Sequence, residues 1–295
     1  MRKLIPKRCV SPHAPSPSAT HNSTPAVAIF TRAPVPGKAK TRLIPRLGRE
    51  GAAEFQATLI SDAIRKVSRL VSSGHDVTPY IFLAGRGLFA NRSARLLTPP
   101  GIPCPATARS VANFAVLAQR GPDLGARLER AFRQMLRHHA AAIVIGTDSP
   151  LVPLRVLRLA LSELRICDAV LGPCPDGGYY VVGLRDTGVA TLSGRLPRKA
   201  VASSRSHAGR SRRRRLTASA GVFRRVRWGS ASAFRDTLRN LLDCGLSCSI
   251  LQPFPDVDRP DDLRRLAREL ARSPKARRLA PAAWSFIRQR RRKNR

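Results

Sequence analysis

The sequence lacks any long apolar segment. Its 295 residues contain no run of 18 or more apolar residues, so we predict no transmembrane helix. Residues 1–25 have no sustained apolar stretch either, which argues against a secretory signal. We therefore expect a cytoplasmic protein.

The sequence also lacks the residue sets of several common enzyme classes. Its six cysteines form no Cys-x-x-Cys pair and no zinc-binding spacing, so we expect reduced thiols. Its six histidines lie in tails, in loops or at a polar helix end, and no Ser-His-Asp or Cys-His set is evident. Nucleophilic catalysis of these kinds is therefore not expected.

Acidic residues are scarce, with 18 Asp and Glu against 54 Lys and Arg. Three acid-free stretches, 1–25, 195–227 and 273–295, hold 25 of the basic residues. Elsewhere the 29 basic residues exceed the 18 acidic ones by 11, a balance that suits an enzyme for anionic substrates. A non-catalytic nucleic-acid-binding protein is an alternative, but aromatic residues make up only 5% and form no evident stacking platform, so no specific nucleic acid is expected.

The distribution of charge and periodicity predicts one folded domain with basic appendages. We place the domain at residues 26–272 and interpret residues 1–25 as a disordered basic extension. An arginine-rich, low-complexity insertion without periodicity lies at about 187–221. Residues 273–295 are interpreted as a basic C-terminal tail.

Short apolar runs alternate with amphipathic segments along the domain. This alternation predicts an α/β fold, a three-layer α/β/α sandwich around a mostly parallel sheet. The segment 85–112 is irregular and contains prolines, and no element is assigned to it. The predicted strands are 26–31, 77–84, 141–145, 169–172, 179–184 and 247–252, and the predicted helices are 49–71, 123–138, 154–165, 232–244 and 260–271.

The loop RAPVPGKAKTRL after the first predicted strand is rich in basic residues. A turn at Gly37, followed by Lys38, Lys40 and Arg42, offers backbone N–H groups and positive charge to a phosphate. It is not a Walker A loop, which requires a second glycine at fixed spacing. An exposed basic loop without a ligand is an equally good interpretation from this stretch alone.

Carboxylates follow two of the predicted strands. Asp148 is the first acidic residue after the apolar run AAIVIG, and Asp256 and Asp258 follow the last strand. Because strand ends meet at one edge of an open α/β sheet, Asp148 and one of the later pair could share a hard cation such as Mg²⁺. Helix capping is the alternative for each of them, and it is favoured for Asp123 and for Asp261 or Asp262.

The turn PDGGYY contains Asp176, Gly177 and Gly178. Two successive glycines let a backbone approach a ligand closely. A plain hairpin turn is the alternative, because Asp-Gly is a strong turn signal.

Six segments in this order resemble a known bacterial family: FTRAPVPGKAKTRLIPRLG, AQRGPDLGARLERAF, VIGTDSPLVP, LGPCPDGGYYVVGL, FRRVRWGS and FPDVDRPDDL. The family is the glycosyltransferase-A-fold "transferase 1, radical-SAM/selenodomain-associated" group, also called the arsenosugar-biosynthesis type. It is related to the molybdenum-cofactor and phospholactate guanylyltransferases. The resemblance covers nearly all of residues 26–272. This chain has Arg32 where the family usually has Lys, and Ser149 where it usually has Cys.

The resemblance implies a Rossmann-like nucleotide-diphospho-sugar transferase fold, a nucleotide-sugar donor and Mg²⁺ or Mn²⁺. By position, it assigns the donor phosphates to Pro36, Gly37, Lys40, Thr41 and Arg42. It assigns the nucleotide pocket to Gln119, Asp123 and Gly125, and the metal to Asp148 and Asp258. It places Asp176, Gly177 and Gly178 beside the sugar or acceptor.

We therefore predict a metal-dependent glycosyltransferase that moves a sugar from a nucleoside-diphosphate donor to a small acceptor. Asp148 would act through the metal, and Asp176 is the candidate catalytic base. The alternative keeps the site but changes the reaction to nucleotidyl transfer with release of pyrophosphate.

Overall fold

A computed structural model of the protein describes residues 24–85, 111–186 and 221–293. Its strands are β1 (Ala26–Arg32), β2 (Thr78–Ala84), β3 (Ala115–Ala118), β4 (Ala141–Gly146), β5 (Ala169–Pro173), β6 (Tyr179–Arg185) and β7 (Cys248–Ile250). Its α-helices are α1 (Ile44–Ser72), α2 (Leu124–Met135), α3 (Leu154–Glu163), α4 (Ala233–Asp243), α5 (Pro260–Arg272), α6 (Pro274–Leu279) and α7 (Pro281–Lys293). A 3₁₀ turn at Thr41–Leu43 precedes α1.

The seven strands form one sheet in the order β3-β2-β1-β4-β6-β5-β7. All neighbouring pairs are parallel except those made by β6, which runs antiparallel to β4 and β5. From β1 the chain proceeds to β2 and β3 on one side and then returns to β4 on the other. Ligands bind at such a reversal in open α/β sheets, beyond the carboxyl ends of the strands.

Helices cover both faces of the sheet, as the alternation along β1 requires. Val27 and Ile29 face a core with α1 and α3, whereas Ala28 and Phe30 face a core with α2 and α4. This three-layer arrangement confirms the predicted fold class.

Residues 273–295 were predicted to be a tail, and this prediction is wrong for residues 273–293. Ser273 caps the start of α6, and α7 follows. These helices pack on α1 in a third apolar cluster, formed by residues such as Phe55, Ala283 and Phe286. The reason is an apolar spacing of three to four residues, at Ala276, Ala280, Ala283, Phe286 and Ile287, within the basic sequence.

Asp62 of α1 fixes the start of α7. Its two carboxylate oxygens accept hydrogen bonds from the backbone N–H groups of Ala282 and Ala283, both at 3.0 Å. The N–H groups of a first helical turn have no partner within their own helix, so this carboxylate acts as a cap supplied by another helix.

Two further differences concern single elements. β3 was not predicted from the sequence. α1 begins at Ile44 rather than at residue 49, and it has a break at Gly48, where φ is 75° and ψ is 171°. The predicted extension at 1–25 and insertion at 187–221 lie outside the described residues, except for residues 24–25 and 221.

In the described part of the chain, no helix has the length and apolar character needed to cross a membrane.

Candidate active site

A cleft of about 670 Å³ opens at the carboxyl ends of β1 and β4. Residues from the basic loop, from the segments after β3 and β4, and from the approach to α5 line it. They include Arg32, Lys38, Lys40, Thr41, Arg42, Gln119, Arg127, Thr147, Asp148 and Asp258. The structure therefore brings the basic loop and the two predicted metal carboxylates together.

The ammonium of Lys40 lies between the two carboxylates. Its Nζ is 2.8 Å from Asp148 Oδ1 and 2.7 Å from Asp258 Oδ1, and it donates to the carbonyl oxygen of Val257 at 2.8 Å. The Lys40 side chain is only 5% exposed, whereas those of Asp148 and Asp258 are 44% and 33% exposed. The carboxylates thus face the cleft and share one buried cation.

Backbone contacts bring Asp258 to Asp148. After β7, the chain runs along β5, where Leu251 N–H donates to Leu171 O. Val257 N–H then donates to the carbonyl oxygen of Asp148 at 2.9 Å. This hydrogen bond connects the segment before α5 to the loop after β4. Asp258, the next residue, therefore lies at the cleft.

Asp262 has the capping role that the sequence left open. Its Oδ2 accepts hydrogen bonds from the N–H groups of Asp258 and Arg259, at 3.1 and 2.9 Å. Asp261 instead pairs with Arg264 on the helix surface. Among the four clustered aspartates, Asp258 is therefore the one in contact with Lys40.

The loop backbone turns Lys40 inward. Lys40 has the left-handed conformation, with φ 46° and ψ 46°, which is uncommon for a residue with a side chain. Gly37 has φ 75°, a value that favours glycine, and the loop closes as Lys38 and Ala39 donate to Val35 O. Pro36 and Gly37 shape this turn but do not line the cleft.

The electrostatics of the cluster favour a protonated Lys40. Burial alone would lower the pKa of its ammonium, but Asp148 and Asp258 outweigh burial and raise that pKa. Asp256, close by, has a pKa raised to about 6, first by burial and then by the charges of Asp176, Asp258 and Asp148. The site is thus rich in negative charge that a cation must balance.

The donor set around Lys40 Nζ also suits a divalent cation. Two carboxylate oxygens and one carbonyl oxygen surround a single point, and Mg²⁺ and Mn²⁺ prefer such oxygen ligands. Within the described residues, no group of three or more His, Cys, Asp or Glu could hold a metal. A cation here fits only if Lys40 moves and if phosphate or water completes the coordination.

A buried polar chain orients Asp148. Gln56 of α1, 4% exposed, donates to Thr31 Oγ1 at 3.0 Å and to Thr147 Oγ1 at 3.4 Å. Thr147 Oγ1 in turn donates to Asp148 Oδ1 at 3.2 Å. The sequence analysis missed Gln56, although a glutamine on the apolar face of a helix is a signal for such a role.

The predicted nucleotide pocket is only partly assembled. Gln119 lines the cleft, where its Nε2 donates to the carbonyl oxygens of Thr31 and Phe82 at 3.0 and 2.9 Å. Arg127, which was not predicted, lies beside it and donates to Gly121 O at 3.0 Å.

Asp123 and Gly125 do not line the cleft. Asp123 caps α2 by accepting from Ala126 N–H at 2.8 Å. Gly125 packs closely, because a Cβ there would lie 2.5 Å from Phe223 O and 2.9 Å from Trp228 Nε1.

The turn at Asp176, Gly177 and Gly178 is structural and also lies outside the cleft lining. Asp176 Oδ1 accepts from Gly178 N–H at 2.9 Å, as in the hairpin alternative. Gly177 has φ 91°, and a Cβ there would lie 2.1 Å from Ala231 O. Asp176 is absent from the lining of the cleft, its charge helps to raise the pKa of Asp256, and its role as catalytic base stays a prediction.

Comparisons with known proteins agree with the fold. Residues 88–196 match the family described as "Uncharacterized protein conserved in bacteria (DUF2064)". No curated protein matches the chain. The crystal structure of a provisionally assigned nucleotide-diphospho-sugar transferase from Desulfovibrio desulfuricans G20 is 25% identical, with a TM-score of 0.65, and the match covers 91% of this chain and 98% of that one. The chain therefore has the α/β fold of nucleotide-diphospho-sugar transferases.

A more distant structure is the inositol-1-phosphate CTP transferase from T. maritima. It is 12% identical, with a TM-score of 0.46, and the match covers 90% of this chain and 98% of that one.

Proposed function

We propose that this protein is a metal-dependent glycosyltransferase of the radical-SAM/selenodomain-associated type, which moves a sugar from a nucleoside-diphosphate donor to a small acceptor. One observation carries the proposal. One cleft at the sheet reversal brings a basic loop to within 2.8 Å of two carboxylates, one after β4 and one before α5, that meet at one point. This combination of opposite charges suits a metal–diphosphate group. The similarity in fold to a nucleotide-diphospho-sugar transferase supports it.

In this proposal the basic loop and the carboxylates have complementary roles. Lys40 and Arg42, with the Thr41 hydroxyl, bind the donor phosphates. Asp148 and Asp258 hold Mg²⁺ or Mn²⁺, which when bound would neutralise the charge that develops on the departing diphosphate. Gln56 and Thr147 hold the Asp148 carboxylate in position.

The nucleotide itself would lie on the β3 and α2 side of the cleft. Gln119 uses its Nε2 to bind two strand carbonyl oxygens, which leaves its Oε1 to accept a hydrogen bond from the donor. Arg127 adds positive charge there. No residue that lines the cleft is assigned as the catalytic base.

A thermal-shift experiment tests the donor site. The protein is melted with nucleoside diphosphates and sugar nucleotides, each with and without Mn²⁺. We expect at least one of them to raise Tm only when Mn²⁺ is present. Asp148→Ala should abolish that response, and Asp123→Ala, which removes a helix cap instead, should retain it. No metal-dependent shift for any nucleotide would contradict the proposal.

The same site would also serve nucleotidyl transfer, so the reaction needs its own test. The protein is incubated with metal and either labelled nucleoside triphosphates or labelled sugar nucleotides. Glycosyl transfer predicts consumption of a sugar nucleotide. Release of pyrophosphate from a triphosphate, with no use of sugar nucleotides, would show the alternative reaction.

A further inference from the structure

The position of Lys40 leaves its ammonium no free donor. A lysine ammonium has three N–H groups, and Lys40 has three oxygen acceptors, on Asp148, Asp258 and Val257, at 2.7 to 2.8 Å. It therefore cannot bind a phosphate without leaving at least one of them. A divalent cation held by the same two carboxylates would need the point that the ammonium occupies.

We propose that Lys40 is an exchangeable counter-ion for the Asp148–Asp258 pair, which leaves the pair when a donor diphosphate binds and so admits the divalent cation. The identity of the diphosphate rests on the proposed function above. The exchange itself rests on the geometry of Lys40. Lys40 thus contacts either the carboxylates or the donor phosphate, and it sets how metal and donor binding depend on each other.

The carboxylates remain accessible while Lys40 neutralises them. Their side chains are 44% and 33% exposed, so a cation can approach them from the cleft. Arg42 lies 3.8 Å from the other oxygen of Asp258 and is 57% exposed, so it stays nearby when Lys40 moves. Both bases can then face a phosphate that enters the cleft.

The Lys40 backbone favours movement of this loop. A left-handed conformation at a residue other than glycine is unfavourable and persists when surrounding contacts hold it. Here the three contacts of the ammonium supply part of that stabilisation. When a diphosphate binds the ammonium, the loop loses these contacts and its present conformation becomes less stable.

Because the Lys40 ammonium and the metal would occupy the same position, we expect the metal and the diphosphate to bind with positive cooperativity. A metal alone must displace the ammonium from two carboxylates, which weakens its binding. A diphosphate that draws Lys40 away removes this competition. By linkage, each ligand then strengthens the binding of the other by the same factor.

Titration calorimetry with MnCl₂, in the absence of any nucleotide, tests the exchange. Lys40→Met removes the ammonium while keeping the length of the side chain. Lys275→Met is the control, because it also removes one lysine charge but lies on α6, outside the lining of the cleft. We expect Lys40→Met to bind Mn²⁺ roughly tenfold or more tighter than the wild type, and Lys275→Met to stay within about threefold of it.

The nucleoside diphosphates UDP and GDP then probe the coupling. In the wild type, the one that binds should tighten Mn²⁺ binding roughly tenfold, and the gain should be much smaller in Lys40→Met. If Lys40 were only a phosphate ligand, Lys40→Met would weaken nucleotide binding without tightening Mn²⁺ binding. That result, or an equal gain in Lys275→Met, would overturn the proposal.

Thermal melting gives a second measurement that does not depend on a donor. Without Lys40, the two carboxylates lose the ammonium between them and only Arg42 stays near Asp258, so Lys40→Met should melt below the wild type and recover when Mn²⁺ is added. Lys40→Gln serves if Lys40→Met does not fold. Failure of Mn²⁺ to stabilise either variant would contradict the exchange. Failure of every nucleotide to bind, with the Mn²⁺ result as expected, would contradict the proposed function alone.

Discussion

The cleft and the α1–α7 contact both contain aspartates beside basic side chains, but different groups satisfy the carboxylates. In the cleft, a side-chain ammonium bridges Asp148 and Asp258, which stay partly exposed. At the α1–α7 contact, Asp62 is 1% exposed and accepts two backbone N–H bonds, with Arg65 at 3.1 Å. Backbone donors cannot leave without unwinding a helix, whereas an ammonium can. We infer that exchangeable donors mark a binding site and that fixed donors mark a structural one.

The two lysines near these clusters show the same contrast. Burial would lower the pKa of Lys40, but two direct carboxylate contacts raise it instead. Burial lowers the pKa of Lys66 to about 8, with Asp62 opposing, because its only described hydrogen bond is to the carbonyl oxygen of Pro150 at 3.3 Å. Lys66 thus lacks the compensation that Lys40 has.

The largest expected effect is that of Asp148→Asn on activity. The substitution removes a charge from the cation site but leaves the fold contacts of the loop in place. In the proposed reaction, transfer from a sugar nucleotide should fall roughly a hundredfold or more, while the free energy of unfolding should fall by no more than about 1 kcal/mol, because Asp258 and Val257 still contact Lys40. Steady-state kinetics and urea unfolding on the same variant test this pair of results. Retained activity would remove Asp148 from the mechanism.

Asp62→Asn should give the opposite result. Two N–H groups at the start of α7 lose their anionic acceptor, and Arg65 and Lys66 lose a counter-charge, so the free energy of unfolding should fall by about 2 kcal/mol. Urea unfolding measures the loss. The nucleotide-dependent thermal shift should persist in this variant. If Asp62→Asn kept its stability but lost the nucleotide-dependent thermal shift, Asp62 would belong to the binding site and the distinction between the two clusters would be wrong.

Lys66 predicts a pH dependence of stability. Its pKa is about 8 in the folded protein and about 10.5 when unfolded, so between these values the unfolded state binds more protons and stability rises with pH. The wild type should gain roughly 1 to 2 kcal/mol relative to Lys66→Met between pH 7 and pH 10, allowing for partial exposure. Denaturant unfolding across that range checks it, and parallel curves for the two proteins would refute it.

The smallest expected effect is that of Gln56→Met. The substitution removes the donor to Thr147 without opening a large cavity, so Asp148 loses support but keeps its charge. We expect a loss of transfer activity of about three- to tenfold with nearly unchanged Tm. Activity equal to that of the wild type would show that Thr147 orients Asp148 unaided.

The residue pattern was sufficient to predict the fold and a partner for Asp148 at Asp256 or Asp258, and the family resemblance selected Asp258. The fold follows from clear apolar runs, whereas Asp258 reaches Asp148 because the chain after β7 crosses β5 and Val257 N–H binds the carbonyl oxygen of Asp148. The α6 and α7 helices were missed because arginines obscured the spacing of Ala276, Ala280 and Ala283. The number of basic residues in a segment says nothing about the spacing of its apolar residues, so it could not indicate these helices.

The position of Lys40 between the carboxylates could not be predicted from the sequence. It depends on a left-handed backbone at a lysine, which residue type disfavours. The close packing of Gly177 depends on the distant Ala231 backbone, which no local pattern indicates.

A crystal structure with Mn²⁺ and the nucleoside diphosphate that gives the largest thermal shift would test the account most directly. The anomalous signal of manganese locates the metal independently of the rest of the density. We predict Mn²⁺ bound by Asp148 and Asp258, with Lys40 Nζ turned to a phosphate oxygen. Manganese bound elsewhere, or Lys40 still between the two carboxylates beside a bound diphosphate, would contradict the account.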